Sequence, residues 1–427
     1  MTIHVVRAGE SVYLLSQRYQ VPVEVIERDN GIGQDGRLAV GQALFIRSGA
    51  QTRVVQPGDS WRALAEQTGQ SVRQLLQKNP GLSEQSPPPP GTVLVVAQPE
   101  PELGAMRING YVYPFVDRGV YTKTLPFVSF ITLFTYGFTP EGELVLLDDE
   151  ELIALAAELD VPAYLHFSTL TPEGNFSNEL AAALLRNPDL QETVLARLLA
   201  LMQQKGYGGL DIDFEYVLPE DRENYIAFIQ RATETMNAAG YEVIVALAPK
   251  TSADQPGLLY EAHDYAGLGA AANAVLLMTY EWGYTYGPPM AVAPINQVRR
   301  VLEYAVTEIP PEKIYMGMPN YGYDWTLPYV QGESRARSLG NQEAVELAIR
   351  VGAPIEYDEV AQSPFFRYFD ERGAEHEVWF EDARSVEAKA RLAAEFGFLG
   401  LGFWNLMKFF PASWAVLDTL FTLEQIS

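Results

Sequence analysis

The sequence contains no cysteine and only four histidines among its 427 residues. The absence of cysteine excludes disulfides, thiolate nucleophiles and cysteine-ligated metals, and four widely separated histidines argue against a His-rich metal site. No apolar run approaches the roughly 18 residues that a membrane-spanning helix needs, and no signal-peptide pattern precedes the first patterned segment. We therefore expect chemistry based on carboxylates and aromatic side chains, with no cofactor, no metal and no membrane.

Basic residues are scarce, and the deficit is uneven along the chain. Residues 1–96 are nearly neutral, whereas residues 97–427 hold 21 Lys and Arg against 47 Asp and Glu. Such a surface repels phosphates, which excludes nucleic acid as a partner. The 48% hydrophobic and 20% charged composition is typical of a globular protein. The length predicts about two to four domains, and nothing in the sequence indicates more than a monomer.

An internal repeat occupies the N-terminal quarter of the chain. The segment at residues 4–11 recurs at 53–60, and Asn30 aligns with Asn79 in the same register. Each copy predicts a strand, two short helices and a closing strand, with a serine as the N-cap of the first helix. The repeat is less typical of a structural cap or a dimerisation unit, because such repeats usually stack into longer arrays.

These two copies resemble the LysM module in their V-x-x-G-[DE]-[ST] opening and in the asparagine near the end of the second helix. The resemblance places one module at residues 2–47 and a second at 52–97. It implies binding of N-acetylglucosamine-containing polymers, with avidity from duplication. The loops implied to bind are Gly9–Val12, Ile26–Gly31, Gly58–Trp61 and Leu75–Gly81.

Beyond a Pro- and Glu-rich linker at 98–104, eight short β-rich runs alternate with amphipathic helical stretches, one of them spanning 178–204. This pattern predicts an α/β fold, a (β/α)8 TIM barrel over residues 105–427, with a doubly wound sheet as the alternative. About residues 330–382 are predicted to form a small α+β insertion over the barrel mouth. The eight runs are Ile108–Tyr113, Phe127–Tyr136, Ala163–Ser168, Leu210–Phe214, Val243–Ala248, Val275–Tyr280, Ile314–Pro319 and Gly400–Trp404.

The fourth run carries carboxylates at alternating positions, Asp211, Asp213 and Glu215. A period of two places all three on one face of a strand, and in a barrel the carboxyl ends of the strands hold the active site. Mutual repulsion predicts that at least one carboxyl keeps a proton near neutral pH, as cleavage of a glycosidic bond requires. A lone D-x-D also fits a metal site or a solvated edge, but three unpaired charges do not fit an apolar core.

This segment resembles the D-G-x-D-x-D-x-E signature of the family 18 glycoside hydrolases, the chitinase-like enzymes. Further segments resemble family motifs in the same order: Leu277–Glu281, Met316–Trp325 and Gly402–Trp404. Two residues depart from the family pattern. Gly208 replaces the first Asp, which we expect to leave activity intact, and Glu281 replaces an Asp or Asn, which we expect to alter specificity.

The family resemblance implies a role for each matching residue. Glu215 would be the general acid, the substrate's own N-acetyl oxygen would attack the sugar with net retention, and no metal would be needed. Asp213 would orient the acetamido group, Asp211 would tune Asp213, and Tyr280 would hydrogen-bond the acetamido oxygen. Trp404 would stack against the apolar face of the sugar ring. The other residues expected to bind sugar are Tyr216, Met278, Glu281, Tyr321, Tyr111 and Tyr136, with Trp282 and Trp325 as further aromatic platforms.

The whole plan resembles that of the spore cortical-fragment-lytic enzymes and germination hydrolases of endospore-forming bacteria. It implies a peptidoglycan β-N-acetylglucosaminidase associated with the spore coat, the cortex or the cell wall, without a signal peptide. A chitinase is the alternative within the same class, since the barrel motifs do not separate chitin from peptidoglycan. A catalytically silent glycan-binding coat protein is the alternative from another class, and the presence of Glu215, Asp213 and Tyr280 counts against it.

Overall fold

Eight parallel strands close into a barrel in the computed structural model, which describes residues 1–171 and 173–426. Each strand pairs with the next, and the eighth returns to the first, with Leu401 opposite Ile108. Closure confirms the barrel and excludes the doubly wound sheet. The strands are β1 Ala105–Val112, β2 Phe130–Phe138, β3 Ala163–Ser168, β4 Gly209–Asp213, β5 Glu242–Leu247, β6 Ala274–Leu277, β7 Ile314–Pro319 and β8 Gly400–Trp404.

Helices connect these strands and bury their apolar faces on the outside of the barrel. The prediction of one continuous helix over 178–204 is wrong, because the chain forms two helices that are separated at Asn187. Pro188 lacks an N–H and begins a new helix, while the Asn187 side chain accepts a bond from the Leu190 N–H at 3.2 Å. The connecting helices are Arg118–Thr124, Glu150–Ala157, Asn178–Leu185, Pro188–Lys205, Arg222–Ala238, Tyr265–Ala271, Ile295–Glu308, Ala383–Phe396 and Pro411–Leu420.

A five-stranded antiparallel sheet and the helix Asn341–Val351 lie between β7 and β8. They form the small α+β insertion that was predicted, and the strand Tyr321–Thr326, which precedes the predicted start near residue 330, also joins its sheet. Aromatic side chains of the sheet pack in one cluster with Tyr280 and Trp404 at the barrel mouth. The strands, in spatial order, are Arg337–Gly340, Tyr321–Thr326, Glu375–Trp379, Ser363–Phe369 and Glu356–Asp358.

Both N-terminal repeats fold as strand, helix, helix, strand. The repeated asparagine has the same structural task in each copy: the Asn30 Nδ2 donates to the carbonyls of Ile26 and Phe45, both at 2.8 Å. Asn79 repeats this clip between the second helix and the closing strand. The elements are Thr2–Val5, Val12–Tyr19, Val23–Asp29 and Ala43–Ile46, then Gln51–Val54, Trp61–Thr68, Val72–Gln77 and Val93–Ala97.

The repeats pack directly against the barrel. In the first repeat, the buried Arg47 guanidinium bridges Asp29 and the barrel residue Asp418, each at 2.9 Å. In the second repeat, Arg73 and Gln77 donate to the Pro126 carbonyl at 3.0 and 2.7 Å. These bonds hold both repeats in fixed positions on the barrel. In the described part of the chain, no helix has the length and apolar character needed to cross a membrane.

Candidate active site

A cavity of about 590 Å³ lies at the carboxyl ends of the barrel strands. Most of its polar lining residues lie at the ends of β4 and β6 or shortly after them. Eight of the side chains predicted for the site line it. They are Tyr111, Asp213, Glu215, Tyr216, Met278, Tyr280, Glu281 and Trp404.

The predicted alternation along β4 is confirmed. Leu210, Ile212 and Phe214 are completely buried on the outer face, where the Phe214 ring stacks on Phe228 with centroids 5.7 Å apart. The three carboxylates face the lumen at increasing height: Asp211 is 0% exposed and Asp213 is 7% exposed. Glu215 lies above them and is partly exposed in the cavity.

Each carboxylate of β4 has different neighbours. The Tyr111 hydroxyl donates to Asp211 Oδ2 at 2.6 Å, and His166 Nε2 lies 3.4 Å from Asp213 Oδ2. Across residues 1–171 and 173–426, no Lys or Arg forms an ion pair with Asp211, Asp213 or Glu215. The three acids are therefore buried together without a permanent cation.

This burial changes where the protons reside. Loss of water around Glu215, reinforced by the charges of Asp213 and Glu281, raises its pKa to about 8. Burial also raises the pKa of Asp211 to about 6, although His166 and the Tyr111 hydroxyl oppose the shift. A raised pKa favours the protonated form of Glu215, the form that can donate a proton.

Glu281 contributes a further acid to the cavity wall. It accepts hydrogen bonds from the hydroxyls of Tyr321 and Tyr323, the latter at 3.0 Å. Its backbone φ of 66° is in the left-handed region, which a non-glycine residue adopts only when its surroundings hold it there. Burial raises the Glu281 pKa, while the two tyrosines lower it. Tyr321 does not line the cavity, but it fixes Glu281 within it.

Trp404 forms an aromatic wall of the cavity. Its ring lies 5.6 Å from that of Tyr111 and 5.0 Å from that of Phe134, measured between centroids. One part of the ring stays exposed in the cavity beside Tyr280 and Met278. Such a partly exposed indole offers an apolar face on which a sugar ring can stack.

Two predicted sugar platforms are wrong. Tyr136 is completely buried and donates to Asp149 at 2.5 Å, where it also contacts Tyr207 outside the barrel lumen. The register of β2 against β3 shifts between Leu133 and Tyr136, which turns Tyr136 outward. Trp325 is 1% exposed, so its faces cannot reach a sugar.

The structure gives a steric reason for glycine at position 208. A Cβ at Gly208 would lie 2.9 Å from the Cβ of Pro162, so an aspartate side chain could not be added without moving the backbone around it. The Gly208 N–H donates to the Ala163 carbonyl at 2.8 Å and holds the entry to β4 in place. The departure from the family signature therefore lies away from the cavity.

Several lining residues were missed by the sequence reasoning. Tyr260 and Tyr284 follow β5 and β6 in the chain and also line the cavity. The available signal was an exposed aromatic in a loop after a barrel strand, where ligands bind in this fold. The remaining missed residues are Ala246, Leu259 and Leu276.

Comparisons with known proteins agree with this geometry. The family described as Glycosyl hydrolases family 18 matches residues 170–408, and the LysM domain matches residues 4–47 and 54–97. The chain belongs to glycosyl hydrolase family 18. It is a glycoside hydrolase that carries two LysM domains in front of its barrel.

Some similar proteins match nearly the whole chain, and others match about three quarters of it. The chain is 37% identical over 426 residues to the cortical fragment-lytic enzyme of Bacillus cereus, covering 98% of each protein. The crystal structure of the Bacillus cereus spore cortex-lytic enzyme SleL matches with a TM-score of 0.85 and 35% identity, covering 99% of this chain and 98% of the other. A chitinase from Chromobacterium violaceum matches 74% of this chain and 98% of its own, with a TM-score of 0.68 and 28% identity.

Proposed function

We propose that the protein is a retaining β-N-acetylglucosaminidase that hydrolyses spore-cortex peptidoglycan fragments. The observation that carries the proposal is Glu215, a carboxyl with its pKa raised to about 8, exposed in a sugar-sized cavity beside the buried Asp213. A protonated acid next to an ionisable one is what glycosidic cleavage needs. The Bacillus enzymes named for cortical fragments, which share the full length of the chain, support the substrate.

In the first step of the proposed reaction, Glu215 gives its proton to the glycosidic oxygen. The substrate's acetamido oxygen forms a bond to the anomeric carbon as the bond from that carbon to the leaving oxygen breaks. The product is a cyclic oxazolinium ion bound to the enzyme. Asp213 stabilises its positive charge, and the Tyr280 hydroxyl donates to the acetamido oxygen before the attack and steadies its orientation.

In the second step, the Glu215 carboxylate removes a proton from water. The water oxygen attacks the anomeric carbon from the side that the leaving group occupied, and the bond to the acetamido oxygen breaks. This restores the acetamido group, the protonated Glu215 and the original configuration of the sugar. Asp211 accepts a hydrogen bond from the Tyr111 hydroxyl. In both steps, its carboxyl tunes the electrostatic surroundings of Asp213.

We further infer that the LysM domains bind the glycan strand and hold the enzyme on its substrate at the spore coat, the cortex or the cell wall. Domain boundaries at 2–47, 52–97 and 105–427, with a linker at 98–104, and a monomeric state are part of this proposal. The contacts that pack both modules on the barrel support the targeting role of the LysM domains. Such an attachment would hold the barrel at a defined distance from the bound glycan strand.

The test is mass spectrometry of the products after incubation with two substrates. One is spore-cortex fragments released by a lysozyme-type enzyme, and the other is chitin oligomers. We expect cortex products that end in reducing N-acetylglucosamine, little cleavage of chitin, and product formation at least roughly 10²-fold slower with Glu215→Gln. Rapid cleavage of chitin with inert cortex would make the protein a chitinase. Binding of either polymer without new reducing ends would make it a glycan-binding protein.

A further inference from the structure

The lumen beneath Asp213 holds a buried polar chain that the reaction described above does not use. His166 is 1% exposed, and its Nδ1 lies 2.6 Å from the Thr135 hydroxyl. The Thr135 hydroxyl lies in turn 2.8 Å from that of Ser168. At its other end, His166 Nε2 faces Asp213 Oδ2 at 3.4 Å. This chain leads from β2 and β3 to the middle carboxylate of β4.

The imidazole is held in one orientation. The rings of Phe134 and Tyr111 pack against it, with centroids 4.6 and 5.8 Å away. Among the residues that the structure describes, His166 Nε2 and Asp213 Oδ1 have no hydrogen-bond partner, and the 3.4 Å approach of Nε2 to Oδ2 is a charge contact. An unpaired buried nitrogen is costly, so the approach of His166 Nε2 to the Asp213 carboxylate indicates an interaction that the protein uses.

We propose that His166 is a positioning residue for Asp213: the His166 Nε2–H interacts with this carboxylate and keeps the negative charge on Asp213 and the proton on Glu215. The inference rests on the proposed function, because it explains which acid of the β4 set is ionised for that reaction. We assign the Thr135 hydroxyl as the donor to Nδ1 at 2.6 Å, the shortest of its contacts, and this assignment places the imidazole proton on Nε2.

The surroundings of His166 support this division of charge. The titratable groups packed around it are Asp211 and Asp213 on β4 and Tyr111 on β1. Tyr111 donates to Asp211, which leaves Asp213 as the carboxylate that the imidazole faces at the shorter distance. Glu215 has no comparable donor within the described residues, so the proton remains with it.

The experiment measures pH–rate profiles of His166→Phe and Thr135→Val. Thr132→Val is the matched control, because the buried Thr132 hydroxyl on β2 donates to Asn109 Oδ1 and lies outside the His166 chain. His166→Phe keeps a ring in the aromatic packing but removes both nitrogens. We expect turnover to fall about 10- to 100-fold with little change in KM, and the acidic limb of the profile to move up by about one pH unit. Thr135→Val should move the limb in the same direction by less, and Thr132→Val should leave it in place.

A purely structural role for His166 would lower the amount of folded enzyme without moving the limb, and a superimposable profile would overturn the inference. If His166→Phe does not fold, ¹⁵N NMR of His166 in the unmodified protein decides the question, since the chain has only four histidines. A proton on Nε2 is expected, and a proton on Nδ1 alone would overturn the inference. If Glu215→Gln retains full turnover, the proposed function itself fails, whatever the His166 results are.

Discussion

The active-site cavity and the interface between the first LysM module and the barrel both bury carboxylates. At the interface the carboxylates pair with a cation, whereas in the cavity they lie beside one another. At the interface, Arg47 is 2% exposed and pairs with Asp29 and Asp418. Burial alone would lower the Arg47 pKa, but the two aspartates raise it above its ordinary value. In the cavity, Glu215 faces Asp213 and Glu281, and like charges raise its pKa.

The difference separates a structural use of buried charge from a chemical one. A cation beside a buried carboxylate keeps the group ionised and removes it from proton exchange. Carboxylates buried together without a cation share protons near neutral pH, which costs stability but makes one of them an acid. The predictions below remove one member of each arrangement, beginning with the largest expected effect.

Removing the acid while keeping its shape should abolish the chemistry. For Glu215→Gln we expect turnover on cortex fragments to fall about 10²- to 10⁴-fold, because the leaving oxygen no longer receives a proton. The measurement is the rate of appearance of reducing ends. Glu220→Gln, a substitution at an exposed residue five positions further on, is the control and should retain full turnover.

Breaking the interface should cost stability without changing the chemistry. Arg47→Met leaves Asp29 and Asp418 buried without their cation, and we expect the free energy of unfolding to fall by about 3–5 kcal/mol. Denaturant titration measures it. Arg53→Met removes a partly exposed ion pair of the second module and should cost less than about 1 kcal/mol. Equal losses of unfolding free energy in Arg47→Met and Arg53→Met would contradict a special structural role for the buried Arg47.

The buried Glu215 carboxyl should lower the free energy of unfolding of the protein at alkaline pH. Because the folded pKa of Glu215 is raised, its contribution to stability is present below its ordinary value of 4.5 and is lost as pH rises to about 8. Glu215→Gln should therefore match the parent protein at pH 4 and exceed it by about 1–2 kcal/mol at pH 8. Thermal unfolding at both pH values tests this, and a destabilised variant at pH 8 would contradict it.

The smallest effect concerns Glu281, whose charge contributes to the raised pKa of Glu215. Glu281→Gln keeps an oxygen for the bonds from Tyr321 and Tyr323 but removes the charge. The Glu215 pKa should fall, and the alkaline limb of the pH–rate profile should move to lower pH by about half a unit to one unit. The exposed Glu303→Gln serves as the control, and an unmoved limb would show that Glu281 acts only through contact.

The alternation of β-rich runs with amphipathic helical stretches was enough to predict the barrel strands, and period-two alternation was enough to predict that the carboxylates of β4 share one face, because both patterns depend on local geometry. The assignment of Tyr136 to the sugar site was wrong, since the register shift in β2 reverses the facing of the residues that follow it. Local pattern also could not predict the pairing of Arg47 with Asp418, because the two are far apart in the sequence. His166 was missed for the same reason, since its partner Asp213 lies on the neighbouring strand.

The most direct test of the account is a titration of the Glu215 carboxyl by ¹³C NMR on glutamate-labelled protein, with Glu215→Gln to identify its signal. The account predicts that the carboxyl titrates near pH 8 in the free enzyme, so that it is protonated when substrate binds. A carboxyl that titrates near the ordinary value of 4.5, in an enzyme that is fully active at pH 7, would contradict it.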